Sequence, residues 1–179
     1  IECGVYFGNS LMNYANYSVS IEPYNYQCKI IGFDTFSGGV GLTEKDRKNY
    51  SFEREEGEYK ADSYNDLLNS IEIFNMDRPV DNIEKIKLIK GDIRKTSKEY
   101  IEDNPQTIIR ILNLTMNYYE PTLVALENFY PRIPKGGIVV INGLNYASGC
   151  TQALNDYLGL KNLELMTFDF YPNITYFKV

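Results

Sequence analysis

The segment Glu2-Cys3-Gly4-Val5-Tyr6-Phe7-Gly8-Asn9-Ser10 sets two glycines between an apolar strand and the start of a helix. Lacking side chains there, the backbone can approach a ligand closely, and the free N–H groups of a helix N-terminus can receive its polar atoms. A nucleotide suits such a place, although the pattern is shorter than a full GxGxxG fingerprint and also fits a structural turn. Asp34 narrows the choice. It closes the next apolar run, residues 28–33, and in a parallel sheet an acid there lies beside the first loop, able to accept both hydroxyls of a ribose. Capping the turn that follows would be its simpler role. Asp92, after Gly91 at the end of a third apolar run, adds a polar group on the same sheet edge, where it could meet an adenine amino group.

Those residues need strands that end side by side, and the chain offers them. Strand and helix signals alternate, the mark of βαβ units and a mostly parallel sheet. Strands are expected at residues 1–5, 28–33, 86–89, 108–114, 138–141, 163–168 and 174–178. The run at 138–141 is the most apolar and is expected at a central position. Helices are expected at 10–17, at 62–75 with Tyr64, Leu67, Leu68, Ile71 and Phe74 on one face, at 97–102, at 121–130 and at 151–158. Pro121 opens the fourth helix, and Pro131 and Pro134 stop it. Residues 38–61 carry the charge run Glu53, Arg54, Glu55, Glu56 and read as a mobile loop or lid.

At 179 residues and 44% hydrophobic, the chain suits one α/β domain over 1–179. A net charge of −6 argues against a phosphate-backbone binder, so nucleic acid is not expected as a partner. Three scattered cysteines, Cys3, Cys28 and Cys150, suggest neither a disulfide framework nor a thiolate zinc site, and point to a reducing cytoplasm. With no histidine in the chain, any general base must be Asp, Glu, Lys, Tyr or water. No apolar run approaches the roughly 20 residues that span a bilayer. Sixteen tyrosines without a tryptophan read mostly as half-buried aromatics.

Five runs carry a family resemblance: GVYFGNSL (4–11), IIGFDTFSGG (30–39), LIKGDI (88–93), YYEPTLVALENFYPRIPKGGIVVI (118–141) and GCTQAL (149–154). With the closing TYFKV, they resemble the macrocin-type O-methyltransferases, S-adenosylmethionine enzymes that methylate sugar hydroxyls of natural products or surface glycans. The resemblance implies a class I methyltransferase Rossmann-like sheet of seven mostly parallel strands, in the order 3-2-1-4-5-7-6. The last strand is antiparallel, and helices cover both faces. It assigns Glu2, Gly4, Gly8 and Ser10 to the cofactor loop, Asp34 to the ribose and Asp92 to the adenine side. Ser37, Ile93 and Asn113 complete the cofactor set. A sugar or nucleotide-sugar acceptor and a homodimer are implied as partners, without nucleic acid or membrane.

The catalytic positions depart from the family. Its Leu-Asp-x-Asp motif reads Leu114-Thr115-Met116-Asn117 here, and the paired acids after strand five are replaced by Asn142 and Gly143. Family members hold a divalent metal with those acids and draw a base from them, so no metal is expected at Thr115, Asn142 and Gly143. Thr115, Asn117, Tyr118 and Tyr119 remain the candidate catalytic residues, with Tyr146 beside the acceptor and Glu120 as a helix cap. One reading is a metal-independent methyltransferase acting on a hydroxyl. Others are a cofactor-binding partner or regulatory module without turnover, and a methyltransferase with a nitrogen or other oxygen acceptor. A different dinucleotide enzyme is disfavoured by the missing third glycine and the lack of a Tyr-x-x-x-Lys pattern.

Overall fold

The computed structural model describes residues 1–47, 55–144 and 146–179. Its centre is a seven-stranded sheet in the order β3-β2-β1-β4-β5-β7-β6. Strands β1 (Glu2–Cys3), β2 (Ile30–Asp34), β3 (Ile86–Lys90), β4 (Ile111–Leu114) and β5 (Ile138–Asn142) are parallel to one another. The last strand, β7 (Tyr171–Lys178), runs antiparallel to β5 and to β6 (Met166–Phe168). The expected order and the reversed final strand are therefore both found. β4 takes the midpoint of the sheet, and the more apolar β5 lies beside it.

Helices cover both faces. α1 (Asn9–Ile21) and α3 (Tyr64–Met76) bury Leu11, Ala15, Leu67 and Ile71 with Val5, Phe36 and Ile86. Gly32 permits this approach, since a Cβ there would lie 2.9 Å from a Leu11 methyl. α4 (Ile93–Asp103), α5 (Tyr119–Phe129) and α6 (Ser148–Leu158) cover the other face, where Phe33, Leu112, Leu114, Leu126 and Phe129 form the larger core. Burying such side chains contributes roughly 1.5–3 kcal/mol each, which is what holds the strand ends in register.

Several helices start earlier than the apolar pattern indicates. α4 begins at Ile93 rather than near Ser97 because Asp92 caps it, its carboxylate accepting the Arg94 N–H at 2.9 Å. α5 begins at Tyr119, which puts Pro121 in the first turn, where a missing N–H leaves nothing unsatisfied. The stretch 38–61 contains a short helix, α2 (Glu44–Arg47), and a backbone pairing in which Gly39 donates to Glu58 and Gly57 donates to Gly39, each at 2.8 Å. Glu53 and Arg54 of its charge run lie outside the described residues. Among the described residues no helix is long and apolar enough to cross a membrane.

Candidate active site

A cavity of about 410 Å³ opens over the carboxyl ends of the parallel strands. This is the edge where a doubly wound sheet binds ligands, because the strand order reverses there and leaves a crevice. Gly4, Ser10, Asp34, Gly91 and Ile93 line one side; Thr115, Asn117, Tyr118 and Asn142 line the other.

Asp34 organises the first side. One carboxylate oxygen accepts the backbone N–H of Val5 at 2.7 Å and of Tyr6 at 2.8 Å, and the other accepts that of Phe36 at 2.7 Å. Tyr6 and Phe36 both adopt left-handed backbone conformations, φ 55° and 54°, which cost non-glycine residues on the order of 1 kcal/mol. The carboxylate thus ties the strand-one loop to the strand-two loop and offsets strain in both. The turn-capping role and the cavity position belong to the same side chain.

Glu2 lies beneath this floor, 1% exposed. Its Oε1 accepts hydrogen bonds from the Ser10 hydroxyl and, at 3.0 Å, from the Asn113 amide. Its Oε2 has no partner among the described residues. Burial pushes the carboxyl up to about 7, against the lowering effect of the Ser10 and Asn113 hydrogen bonds. Glu2 and Asn113 therefore position Ser10, which reaches the cavity, while they themselves stay under it.

The glycines have steric reasons. At Gly4, with φ +96°, a Cβ would sit 2.4 Å from Thr115 Oγ1; at Gly8, with φ +80°, it would sit 2.1 Å from a Leu67 methyl. Gly8 thereby lets α1 start against α3. Asp92 is held differently from the expectation. Its neighbours Gly91 and Ile93 line the cavity, but its carboxylate is gripped by the Arg94 guanidinium at 2.6 Å. Partial burial alone would raise the Asp92 carboxyl; the Arg94 hydrogen bonds and charge outweigh it and hold the group below the usual carboxylate range. Arg94 also pairs with Glu120 at 2.7 Å, so Glu120 serves an ion pair and not a cap. Ser37 is exposed and lies outside the cavity wall.

On the second side, the Thr115 hydroxyl donates to the carbonyls of Cys3 and Gly4, locking β4 to the end of β1. Asn117 lines the cavity with its Oδ1 buried and without a hydrogen bond among the described residues. Tyr118 is buried and donates its hydroxyl to the Glu55 carbonyl at 2.7 Å. Tyr119 faces away from the cavity. Its hydroxyl bonds Asp156 at 2.9 Å, and Lys45 stands 3.6 Å over its ring while pairing with the same Asp156. It clamps α2 to α5 and α6, which is why a residue adjacent to the site in sequence stands outside it in space.

Two acids escaped the sequence reading. Asp46, 2% exposed, accepts the Tyr119 N–H at 2.6 Å and both the N–H and hydroxyl of Thr43, so it secures α2 to the N-terminus of α5. Glu58 lines the cavity from the paired strip at Gly39. Neither carries a periodic signal; only Gly38, Gly39 and Gly57 hinted at close backbone approach nearby.

The donors at the family's metal positions do not fit a hard divalent cation, which needs oxygen ligands with carboxylates among them. Thr115 commits its hydroxyl to backbone, Asn142 offers a neutral amide and Gly143 offers nothing. Among the described residues no three Cys, Asp or Glu side chains gather as a ligand group.

Comparison with known proteins agrees with this geometry. The solved structure of CalS11, a calicheamicin methyltransferase, superposes with TM-score 0.90 at 30% identity, covering 99% of this chain and 70% of that one. The apo structure of CalS11, described as a TDP-rhamnose 3'-O-methyltransferase, gives TM-score 0.82 at 27% identity, covering 99% and 69%. A Streptomyces olivaceus tetracenomycin 4'-O-methyltransferase is 33% identical over 82 residues, which is 44% of this chain and 31% of that relative. The O-methyltransferase NovP shares the fold, with TM-score 0.74 at 21% identity over 99% of this chain and 69% of its own. Sheet order, loop positions and cavity define a class I methyltransferase domain. More narrowly, the sequence model of the macrocin O-methyltransferase (TylF) family matches residues 1–178, and the chain belongs to that family.

Proposed function

We propose that this domain binds S-adenosylmethionine in the half of the cavity formed by Gly4, Ser10, Asp34, Gly91 and Ile93, and transfers its methyl group to a hydroxyl of a small sugar-containing acceptor without a bound metal. The observation that carries this reading is Asp34, whose carboxylate joins the first two strand loops at the cavity edge while keeping a lone-pair direction for a ribose hydroxyl. The cavity volume lies within the range of small-molecule sites. When bound, the sulfonium donor supplies an already activated methyl group. What remains for the chain is alignment and proton handling. Glu2 and Asn113 hold Ser10 at the loop, Thr115 holds the strand-one edge, and the carboxamides of Asn117 and Asn142 offer donors and acceptors to an acceptor hydroxyl. The relatives' acceptors, such as TDP-rhamnose, motivate the sugar class.

A second reading, cofactor binding without turnover, is favoured by one observation: the Thr115 hydroxyl is spent on backbone carbonyls where the family has an acid. Calorimetric titration with S-adenosylmethionine, S-adenosylhomocysteine and NAD tests the donor assignment; heat with NAD alone would overturn it. Transfer of labelled methyl to TDP-rhamnose or to a rhamnoside in EDTA separates turnover from mere binding.

A further inference from the structure

Of the carboxylates, Asp34 and Glu58 are the two that line the cavity among the described residues. Asp34 is committed to three backbone N–H groups on the loop side. Glu58 is tied to the Tyr118 side by a chain of contacts. Gly39 donates to the Glu58 carbonyl at 2.8 Å, and a Cβ at Gly39 would lie 2.6 Å from the Tyr118 ring. The Tyr118 hydroxyl holds the Glu55 carbonyl at 2.7 Å, and the Glu55 N–H holds the Glu58 carboxylate at 2.9 Å. The turn is built for this approach: at Gly38, with φ +104°, a Cβ would fall 2.3 Å from the Gly57 carbonyl oxygen. The Glu58 backbone is therefore held near Tyr118, in the wall of the cavity that Asn117 also lines.

We infer that Glu58 is the general base of methyl transfer, replacing the acids absent at 115, 117, 142 and 143. This rests on the methyltransferase reading above. The acceptor hydroxyl gives its proton to the Glu58 carboxylate while its oxygen forms the new C–O bond. The pair of the breaking C–S bond stays on sulfur, so the sulfonium becomes a neutral thioether, and Glu58 later returns the proton to water. A carboxylate in the cavity wall would also attract the positive charge of the donor, which the product lacks. The substitution E58Q removes both effects.

The test compares wild type, E58Q and E58D by calorimetry and by labelled-methyl transfer to TDP-rhamnose, with melting curves as the folding control. E58Q should lose about fivefold in affinity for S-adenosylmethionine, the effect of one unit charge several ångströms away at an intermediate dielectric. Its affinity for S-adenosylhomocysteine should hold, and E58D should retain the distinction. Turnover should fall by at least roughly 10²-fold in E58Q with the acceptor KM little changed. Equal losses for both ligands, or none, would overturn the assignment, as would an unchanged kcat. A wild type that binds neither ligand would instead overturn the methyltransferase reading itself.

Discussion

A Cβ at Gly143 would lie 2.7 Å from Asn117 Oδ1, and the Gly143 backbone has φ +116°. The ends of β4 and β5 thus fit each other only with glycine at 143, so the lost acid there is part of a repacked wall and not a simple deletion. Restoring it should fail. Gly143→Asp is expected to destabilise the domain by about 2–3 kcal/mol, from the left-handed backbone and the displaced amide together. Urea unfolding measures this; a neutral substitution would show that the wall has room.

Asp34 should couple stability to binding. In Asp34→Asn one oxygen becomes an NH2 that faces backbone donors, so about 2 kcal/mol of stability should disappear along with at least tenfold of S-adenosylhomocysteine affinity. Unfolding curves and calorimetry on the same sample decide it. Loss of binding with stability intact would mean that the carboxylate serves the ligand alone.

Glu2 should make stability depend on pH. Its folded pKa, about 7, lies above the ordinary value of 4.5, so its favourable contribution is complete below about 4.5 and is lost as pH rises through about 7. The advantage of wild type over Glu2→Gln should therefore be larger near pH 5 than near pH 8, by on the order of 2 kcal/mol. Denaturant unfolding at the two pH values gives the difference, and the opposite slope would place Glu2 as an ionised group in the fold.

Asp46 and Gly149 should prove coupled. A Cβ at Gly149 would meet Asp46 Oδ1 at 1.7 Å and the Tyr119 nitrogen at 2.7 Å. Gly149→Ala should cost about 3 kcal/mol in wild type and clearly less in an Asp46→Ala background. A double-mutant cycle on unfolding free energies reads the coupling, and additive costs would contradict it.

Much of this site was legible in advance because it depends on strand ends. Alternating patterns fixed the sheet, and with it the convergence of Gly4, Asp34 and Ile93. What the residues did not show is where side chains spend their hydrogen bonds. Asp92 goes to Arg94, two residues further along, and Glu120 joins that pair across helices distant in sequence. Tyr119 points outward because α2 presents Lys45 to it, and α2 itself lies in a polar stretch without periodicity. Glu58 was invisible for the same reason, since its position comes from backbone pairing between Gly39 and Gly57.

The central claim is methyl transfer from S-adenosylmethionine without a metal. It is tested most directly by single-turnover transfer of labelled methyl to TDP-rhamnose, run in EDTA and again with excess Mg²⁺. The account predicts the same rate constant in both; a reaction that appears only when Mg²⁺ is added would contradict it.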